Sequence, residues 1–226
     1  DNVIRAISSK NGNEVWNFQT ENSFIKSEKK LSIILKDEII FFVNNLGDIT
    51  ALDVNNGSLF WQTPTQTNTI YQNAFSLENS DLVFENNTIY FSNNKNEFFS
   101  VDARTGTVKW AQSINSSLRP TIIENLIFTI SNEGYLFIID DPTGNIIRIT
   151  DILKNFKDKH EIKPIGFIHA KNKIYVSLSN GRIVTINSST GIQEDVIKIN
   201  NSKISRPYIL NNSMYLIKDN ALTKIE

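Results

Sequence analysis
Apolar residues fall along this chain in short runs that Asn, Gly and Asp close off. "EIIFFVNN" (38–45), "TIYFSNN" (88–94), "LIFTISN" (126–132) and "KIYVSLSN" (173–180) are rich in β-branched and aromatic residues. That composition between such boundaries predicts strands. A second short strand follows each: "DITALD" (48–53), "EFFSVD" (97–102), "YLFIID" (135–140) and "RIVTIN" (182–187). The turns between them are built from Asn and Gly, which tolerate the positive φ that tight hairpins demand. Two segments break the rhythm. Residues 62–80 form a long polar connection with two aromatics. In "DILKNFKDKHEIK" (151–163), Ile152, Leu153 and Phe156 stand at helical spacing behind a capping Asp151. A one- or two-turn helix ended by Pro164 is expected there. The segment is read either as a loop laying its apolar side on the sheets or as a projection toward a partner.

The strands belong to a repeat. Aligned on Gly12, Gly57, Gly106, Gly144 and Gly191, the chain recurs at intervals of 45, 49, 38 and 47 residues. Four residues before each Gly stand Ser8, Asp53, Asp102, Asp140 and Asn187; four after stand Trp16, Trp61, Trp110, Arg148 and Asp195. The Asp can bond backbone amides within a turn, and the Gly supplies its left-handed residue. Four short strands per repeat of this length make a propeller blade. Such a blade cannot bury both faces alone and must stack on neighbours. Trp16, Trp61 and Trp110 are therefore read as inter-blade docking side chains, with a small residue such as Ala51 leaving room for a neighbour's indole.

Composition narrows the function. Net charge is −1 with acids and bases mixed, so there is no electrostatic footprint for nucleic acid. Cysteine is absent, which excludes disulfides and thiolate metal sites. No apolar run approaches the ~20 residues that span a bilayer. His160 and His169 are the only histidines and lack partners at metal-ligand spacing. No phosphate-binding loop or nucleophile elbow occurs. Asp140-Asp141 is an acidic pair, but Asp140 holds the turn position of the repeat. Asn-x-Ser/Thr matches such as Asn86-Asn87-Thr88 are what an Asn-rich chain yields by chance. No catalytic, cofactor-binding or metal-binding residue emerges.

Ala-x-Asp-x-x-(Asn/Thr)-Gly-x-x-x-Trp resembles the tryptophan-docking repeat of the quinoprotein-like, or PQQ-like, β-propellers. The match is specific in the copies ending at Trp61 and Trp110, fair at Trp16 and weak in the last two. The resemblance implies an all-β fold: a β-propeller of four-stranded antiparallel blades, with residues 1–226 as a single domain. "DNVIRAI" (1–7) and "DNALTKI" (219–225) look like the same strand of the repeat. Four full blades, a two-strand piece at one end and a three-strand piece at the other are expected. That makes the chain an arc of a seven- or eight-bladed propeller, and residues 3–7 and 205–217 should not share a sheet.

Three kinds of protein carry this repeat: PQQ-dependent dehydrogenases, the outer-membrane assembly lipoproteins typified by BamB, and lumenal sensor domains of stress kinases. The dehydrogenases hold quinone and Ca²⁺ with carboxylate and amide ligands in the central funnel. No carboxylate constellation separate from the turn Asps is visible here, so a fragment of such an enzyme is the alternative reading. A BamB-like scaffold is the main one, without cofactor. It would be periplasmic, anchored through a lipidated N-terminal Cys that these residues do not include. Its partner would be the periplasmic domains of the outer-membrane β-barrel assembly subunit. In that family a loop bearing Leu-Arg touches the barrel subunit, and "SSLRPTI" (116–122) offers Leu118 and Arg119 in a similar setting. The alternative for this pair is blade packing with a solvated Arg. "ISRPYIL" (204–210) places Arg206-Pro207 at the equivalent point of another copy.

Overall fold
The computed structural model describes residues 3–20, 31–44, 47–65 and 78–225. Among these residues every regular element is a strand, and the strands form six antiparallel sheets in chain order. Blade 1 pairs β1 (Val3–Ile7) with β2 (Glu14–Gln19). Blade 2 holds β3 (Ile33–Lys36), β4 (Ile39–Val43), β5 (Ile49–Asp53) and β6 (Leu59–Thr63); blade 3 holds β7 (Val83–Glu85), β8 (Thr88–Asn93), β9 (Glu97–Asp102) and β10 (Val108–Gln112). Blade 4 holds β11 (Thr121–Ile123), β12 (Leu126–Ile130), β13 (Tyr135–Asp140) and β14 (Ile146–Asp151). Blade 5 holds β15 (Pro164–Ala170), β16 (Lys173–Leu178), β17 (Arg182–Asn187) and β18 (Gln193–Lys198); blade 6 holds β19 (Tyr208–Leu210), β20 (Ser213–Lys218) and β21 (Ala221–Ile225). Blades 1 and 6 are separate sheets, so residues 3–7 and 205–217 do not pair. The architecture is an open arc of β-propeller blades.

The middle strands of each full blade are buried on both faces, and this explains their sequence. In blade 3, Ile89, Phe91, Phe99 and Val101 pack toward blade 2, while Tyr90 and Phe98 pack toward blade 4. Successive side chains of a strand point to opposite faces. A strand with a sheet on either side therefore needs apolar residues at every position, and alternation vanishes. The core is accordingly not central. It is divided into five clusters, one between each pair of neighbouring blades. The fourth strands, β6, β10, β14 and β18, hold only exposed and half-buried residues.

The hairpins joining first and second strands reverse on positive φ. Asn86 and Asn87 have φ of 45° and 59°, and Asn211 and Asn212 have 49° and 61°. Blade 2 makes the same turn with Asp37 and Glu38, at 49° and 65°. Glu has no propensity for this region, so strand pairing on both sides imposes it.

The segment 151–163 is not a helix. Asp151 ends β14, and turns run from Ile152 to Glu161. The Asp151 carboxylate accepts the Leu153 amide at 2.9 Å, as a cap would, but the Ile152 amide donates to the Gly134 carbonyl at 3.0 Å. That bond to a hairpin of blade 4 draws Ile152 and Leu153 inward, where both are fully buried, and leaves no room for a helical turn. Phe156 and Ile162 pack against the same cluster. The segment is a loop that stoppers the interface between blades 4 and 5. Of the long polar connection, residues 66–77, including both aromatics, lie outside the described residues.

Leu153→Ala should lower stability by about 2–5 kcal/mol, the range for emptying a fully buried Leu site. Chemical denaturation with the slope held equal to wild type measures it.

Candidate functional site
The repeat's turn is assembled by its Asp. The Asp102 carboxylate accepts the amides of Arg104 (2.9 Å) and Thr105 (3.2 Å), and the Gly106 amide donates to the Asp102 carbonyl at 2.9 Å. Asp53 and Asp140 repeat the pattern, and Asn187 supplies its amide oxygen to Ser189 and Thr190 in the same way. Burial works against the Asp102 charge. The two amides and the positive charges of Arg104 and Lys109 outweigh it and hold the carboxyl below its usual range.

The turn so formed receives the indole of the preceding blade. Trp16 Nε1 donates to the Val54 carbonyl at 2.9 Å, Trp61 to Ala103 at 3.1 Å and Trp110 to Asp141 at 2.7 Å. Each acceptor stands three residues before the turn glycine. The ring lies flat on that glycine: a Cβ at Gly106 would come within 2.7 Å of Trp61, and one at Gly57 within 2.5 Å of Trp16. These glycines have φ of 73° and 72°, so conformation and proximity both exclude a side chain. A second bond adds to the contact. Thr63 Oγ1 donates to the Gly106 carbonyl at 2.6 Å, and Gln112 Nε2 to that of Gly144 at 2.7 Å.

The small residue six before each Gly has a different part from the one expected of it. Ala51 lies directly opposite Trp61 in its own blade, as Ser100 lies opposite Trp110. It makes room for its own blade's indole; the neighbour's indole rests on glycine. Phe41 and Phe98 pack the same side, their ring centroids each 5.8 Å from Trp61 and Trp110.

At blade 4 Arg148 replaces the indole. Its aliphatic stem covers Gly191, and its guanidinium donates to the Ser189 carbonyl. An Arg can pack its stem and bond a carbonyl at once, so the decay in residue identity is not a loss of docking. Asp141, second of the acidic pair, accepts the Tyr90 hydroxyl at 2.5 Å while its carbonyl takes the Trp110 indole. Burial first, and then the Asp141 carboxylate, push the Tyr90 phenol far up. Tyr90 therefore stays a neutral donor.

Leu118 and Arg119 sit in the connection from β10 to β11, on the face that carries the hairpins between second and third strands. Leu118 is half-buried against the cluster between blades 4 and 5, and its amide donates to Ser116 Oγ at 3.3 Å. Arg119 is exposed. Pro120 and Pro207 are buried just before the first strands of their blades, and Pro164 opens β15, where no ladder donor is needed. Arg206, the counterpart of Arg119, is turned inward. Its Nε donates to the Phe167 carbonyl at 2.9 Å, its stem lies on Gly166, and its guanidinium stands 5.8 Å from the Tyr208 ring. Burial first, with the nearby Arg119 charge, lowers the Arg206 pKa.

The family model described as "Outer membrane protein assembly factor BamB" matches residues 1–150. This chain belongs to the BamB family. No curated protein matches the sequence. Among solved structures, BamB from Moraxella catarrhalis is similar over 99% of this chain and 66% of its own, at 15% identity and a TM-score of 0.78. The computationally designed Ika8 protein aligns over 99% of this chain and 68% of its own, at 12% identity and a TM-score of 0.69. The Cps50 (Swd1) β-propeller domain of Myceliophteria thermophila aligns over 80% of this chain and 59% of its own, at 9% identity and a TM-score of 0.61. These likenesses establish the fold. The chain spans just under two thirds of the Moraxella BamB.

Quinone–calcium chemistry needs carboxylates free to converge on a cation. In this member of the BamB family the turn Asps are bonded to their own amides and Asp141 to Tyr90. Among the described residues no three His, Asp or Glu side chains converge. These carboxylates do not fit that group. Tyr90, Arg148 and Arg206 escape a motif search. Only the register of Arg148, four residues past a turn glycine, signals its part.

Trp61→Ala should cost about 3–5 kcal/mol, whereas Trp61→Phe, which keeps a ring but loses the bond to Ala103, should cost nearer 1 kcal/mol from the hydrogen bond. Thermal and urea unfolding of the two variants separate stacking from hydrogen bonding. Asp102 has a depressed folded-state pKa, so its stabilisation is present above its unfolded value of about 4 and is lost as pH falls through the folded value. Asp102→Asn should flatten the loss of melting temperature below pH 4 while changing little else, because Asn187 already serves in the equivalent turn.

Proposed function
We propose that this protein is a non-catalytic scaffold that presents loops of a β-propeller to a protein partner. We further propose that it acts in the periplasm as a BamB-like component of outer-membrane β-barrel assembly, with the periplasmic domains of the barrel subunit as partner. The observation that carries this proposal is the family match over residues 1–150. The chemistry of the blades supports it. Asp102 is committed to its turn, Asp141 to Tyr90 and Trp61 to blade docking. A fold can host many functions, but loops fixed on a rigid scaffold most often carry the binding.

The proposed contact is the segment around Leu118 and Arg119. Leu118 anchors it by packing on the core, and Arg119 is the exposed charge it presents. Arg119 also stands near Arg206, which has the Asp81 carboxylate in reach as well, so Arg119 is the charge left to a partner. An acidic surface on the partner would complement it.

Arg119→Glu should weaken capture of the barrel subunit's periplasmic domains at least ten-fold without lowering the melting temperature. A pull-down and a binding titration on the same preparation check both halves. Unchanged capture would remove this segment as the contact, and no capture by the wild type would remove the assembly role.

A further inference from the structure
We propose that a cavity of about 380 Å³ on the loop face of blade 5 binds the carboxylate, amide N–H and apolar side chain of an N-acylated aliphatic amino acid. A polypeptide's C-terminal residue and a free acyl amino acid both carry that chemistry. The site shares no lining residue with the Leu118–Arg119 segment and does not rest on the scaffold role.

The cavity forms where the loop between β14 and β15 crosses the β16–β17 hairpin. Its apolar wall is Phe156, Ile162 and Val196, all packed against the core cluster of blades 4 and 5. That backing makes the wall rigid. Asn155 Nδ2 donates to Gln193 Oε1 at 3.3 Å and pins the loop to β18, and the Glu161 amide closes a turn on the Asp158 carbonyl at 3.0 Å. A space of this size falls in the lower part of the range of small-ligand pockets, roughly 300–1,000 Å³.

The polar lining is what lacks a partner. Asn180 Oδ1 is buried with no hydrogen bond. Its counterpart in blade 4 by hairpin register, Glu133, is satisfied: its carboxylate accepts the Asn115 side-chain amide from the incoming connection. In blade 5 the incoming loop bonds Ser179 through the Lys163 amide at 2.9 Å, as the blade 4 connection bonds Asn132, but it offers no donor to Asn180. A buried acceptor without a donor is costly, and a ligand N–H would supply one. Arg182, half-buried at the start of β17, makes no ion pair or side-chain hydrogen bond among the described residues. Its planar fork matches a carboxylate.

Charge selects the ligand further. Lys157, Asp158 and Arg182 are the charged groups lining the cavity, which leaves it at net +1. A monoanion is favoured, and Asp158 opposes a dianion such as phosphate. Apolar surface beside the cations favours an aliphatic body over a bare small anion.

The test is an NMR titration of the full chain with N-acetyl-leucine. Amide resonances of residues 155–162 and 180–182 should shift saturably. N-acetyl-leucinamide, which lacks the carboxylate, and inorganic phosphate should each bind at least ten-fold more weakly. Arg182→Gln should lower affinity about ten-fold with an otherwise unchanged spectrum. Lys157→Gln, on the exposed loop and without consequence for folding, should lower it about three-fold. The peptide Gly-Ser-Gly-Leu with a free C-terminus separates the sources: equal or tighter binding assigns a polypeptide terminus, and weaker binding assigns the free acyl amino acid. No shift at these residues, equal binding of the amide, or unchanged affinity in both variants overturns the proposal. Partner capture does not depend on the result, so failure here and failure of the scaffold role are distinguishable.

Discussion
An indole lying on a bare glycine, with its N–H on a carbonyl three residues earlier, is the contact on which this molecule depends. It couples two scales of structure. The carbonyl reaches the indole only if the turn is correctly formed, and the turn is formed by an Asp or Asn side chain holding amides inside it. The ring lies flush only if the turn residue has no Cβ. Blade stacking thus reads the local conformation of the turns in blades 2 to 5, and a defect in one of them is a defect between two blades. This linkage requires Asp or Asn, Gly and a docking side chain at fixed offsets, whereas the exposed residues between them can vary.

The same contact explains where stability resides. With one core cluster per interface, each blade is held by its neighbours and by little else, as in other stacked repeats. Each interface combines apolar area with one or two directional bonds. Area alone would let sheets slide over one another, because the hydrophobic effect has no direction. The indole bond, and the Thr63 and Gln112 bonds to glycine carbonyls, fix the offset of blade on blade. Blade 4 shows how far the chemistry can change while the offset is kept. Arg148 covers the glycine with methylenes and reaches a carbonyl one residue further along.

Strand runs and turn glycines were legible in the sequence because both obey local rules: β-branched composition, and φ that only certain residues tolerate. The docking pairs were legible only where Trp was kept. At Arg148 the register survived but the residue type misled, since nothing in an Arg announces stacking. Ala51 was placed against the wrong indole because cross-strand pairing within a blade and contact between blades are indistinguishable at the level of spacing. Helical spacing at Ile152, Leu153 and Phe156 reported burial correctly and backbone wrongly. Three apolar residues within five positions can face one core from a loop, once a tertiary bond such as Ile152 to Gly134 overrides local preference. The cavity beside Asn180 was invisible for a related reason: it exists where the loop between β14 and β15 crosses the β16–β17 hairpin, a meeting that no local pattern encodes.

The topology also divides labour between the two faces of the arc. In an antiparallel blade of four strands, the turns between third and fourth strands all emerge on one face, together with the hairpins between first and second. Those turns keep a constant length to the Gly, and in blades 2 to 5 each receives the docking side chain of the preceding blade, an indole or Arg148. The connections from one blade's fourth strand to the next blade's first emerge on the opposite face and meet no such requirement. They differ freely here, from the short 113–120 connection to the longer 152–163 loop. Both Arg119 and the cavity under residues 155–162 lie on that second face. A face whose geometry is dictated by blade docking has little latitude to acquire a partner, while one built of unconstrained loops on a rigid base can acquire several. The place to seek binding is therefore set by the indole contact itself, through the freedom it withholds from one side of the propeller and leaves to the other.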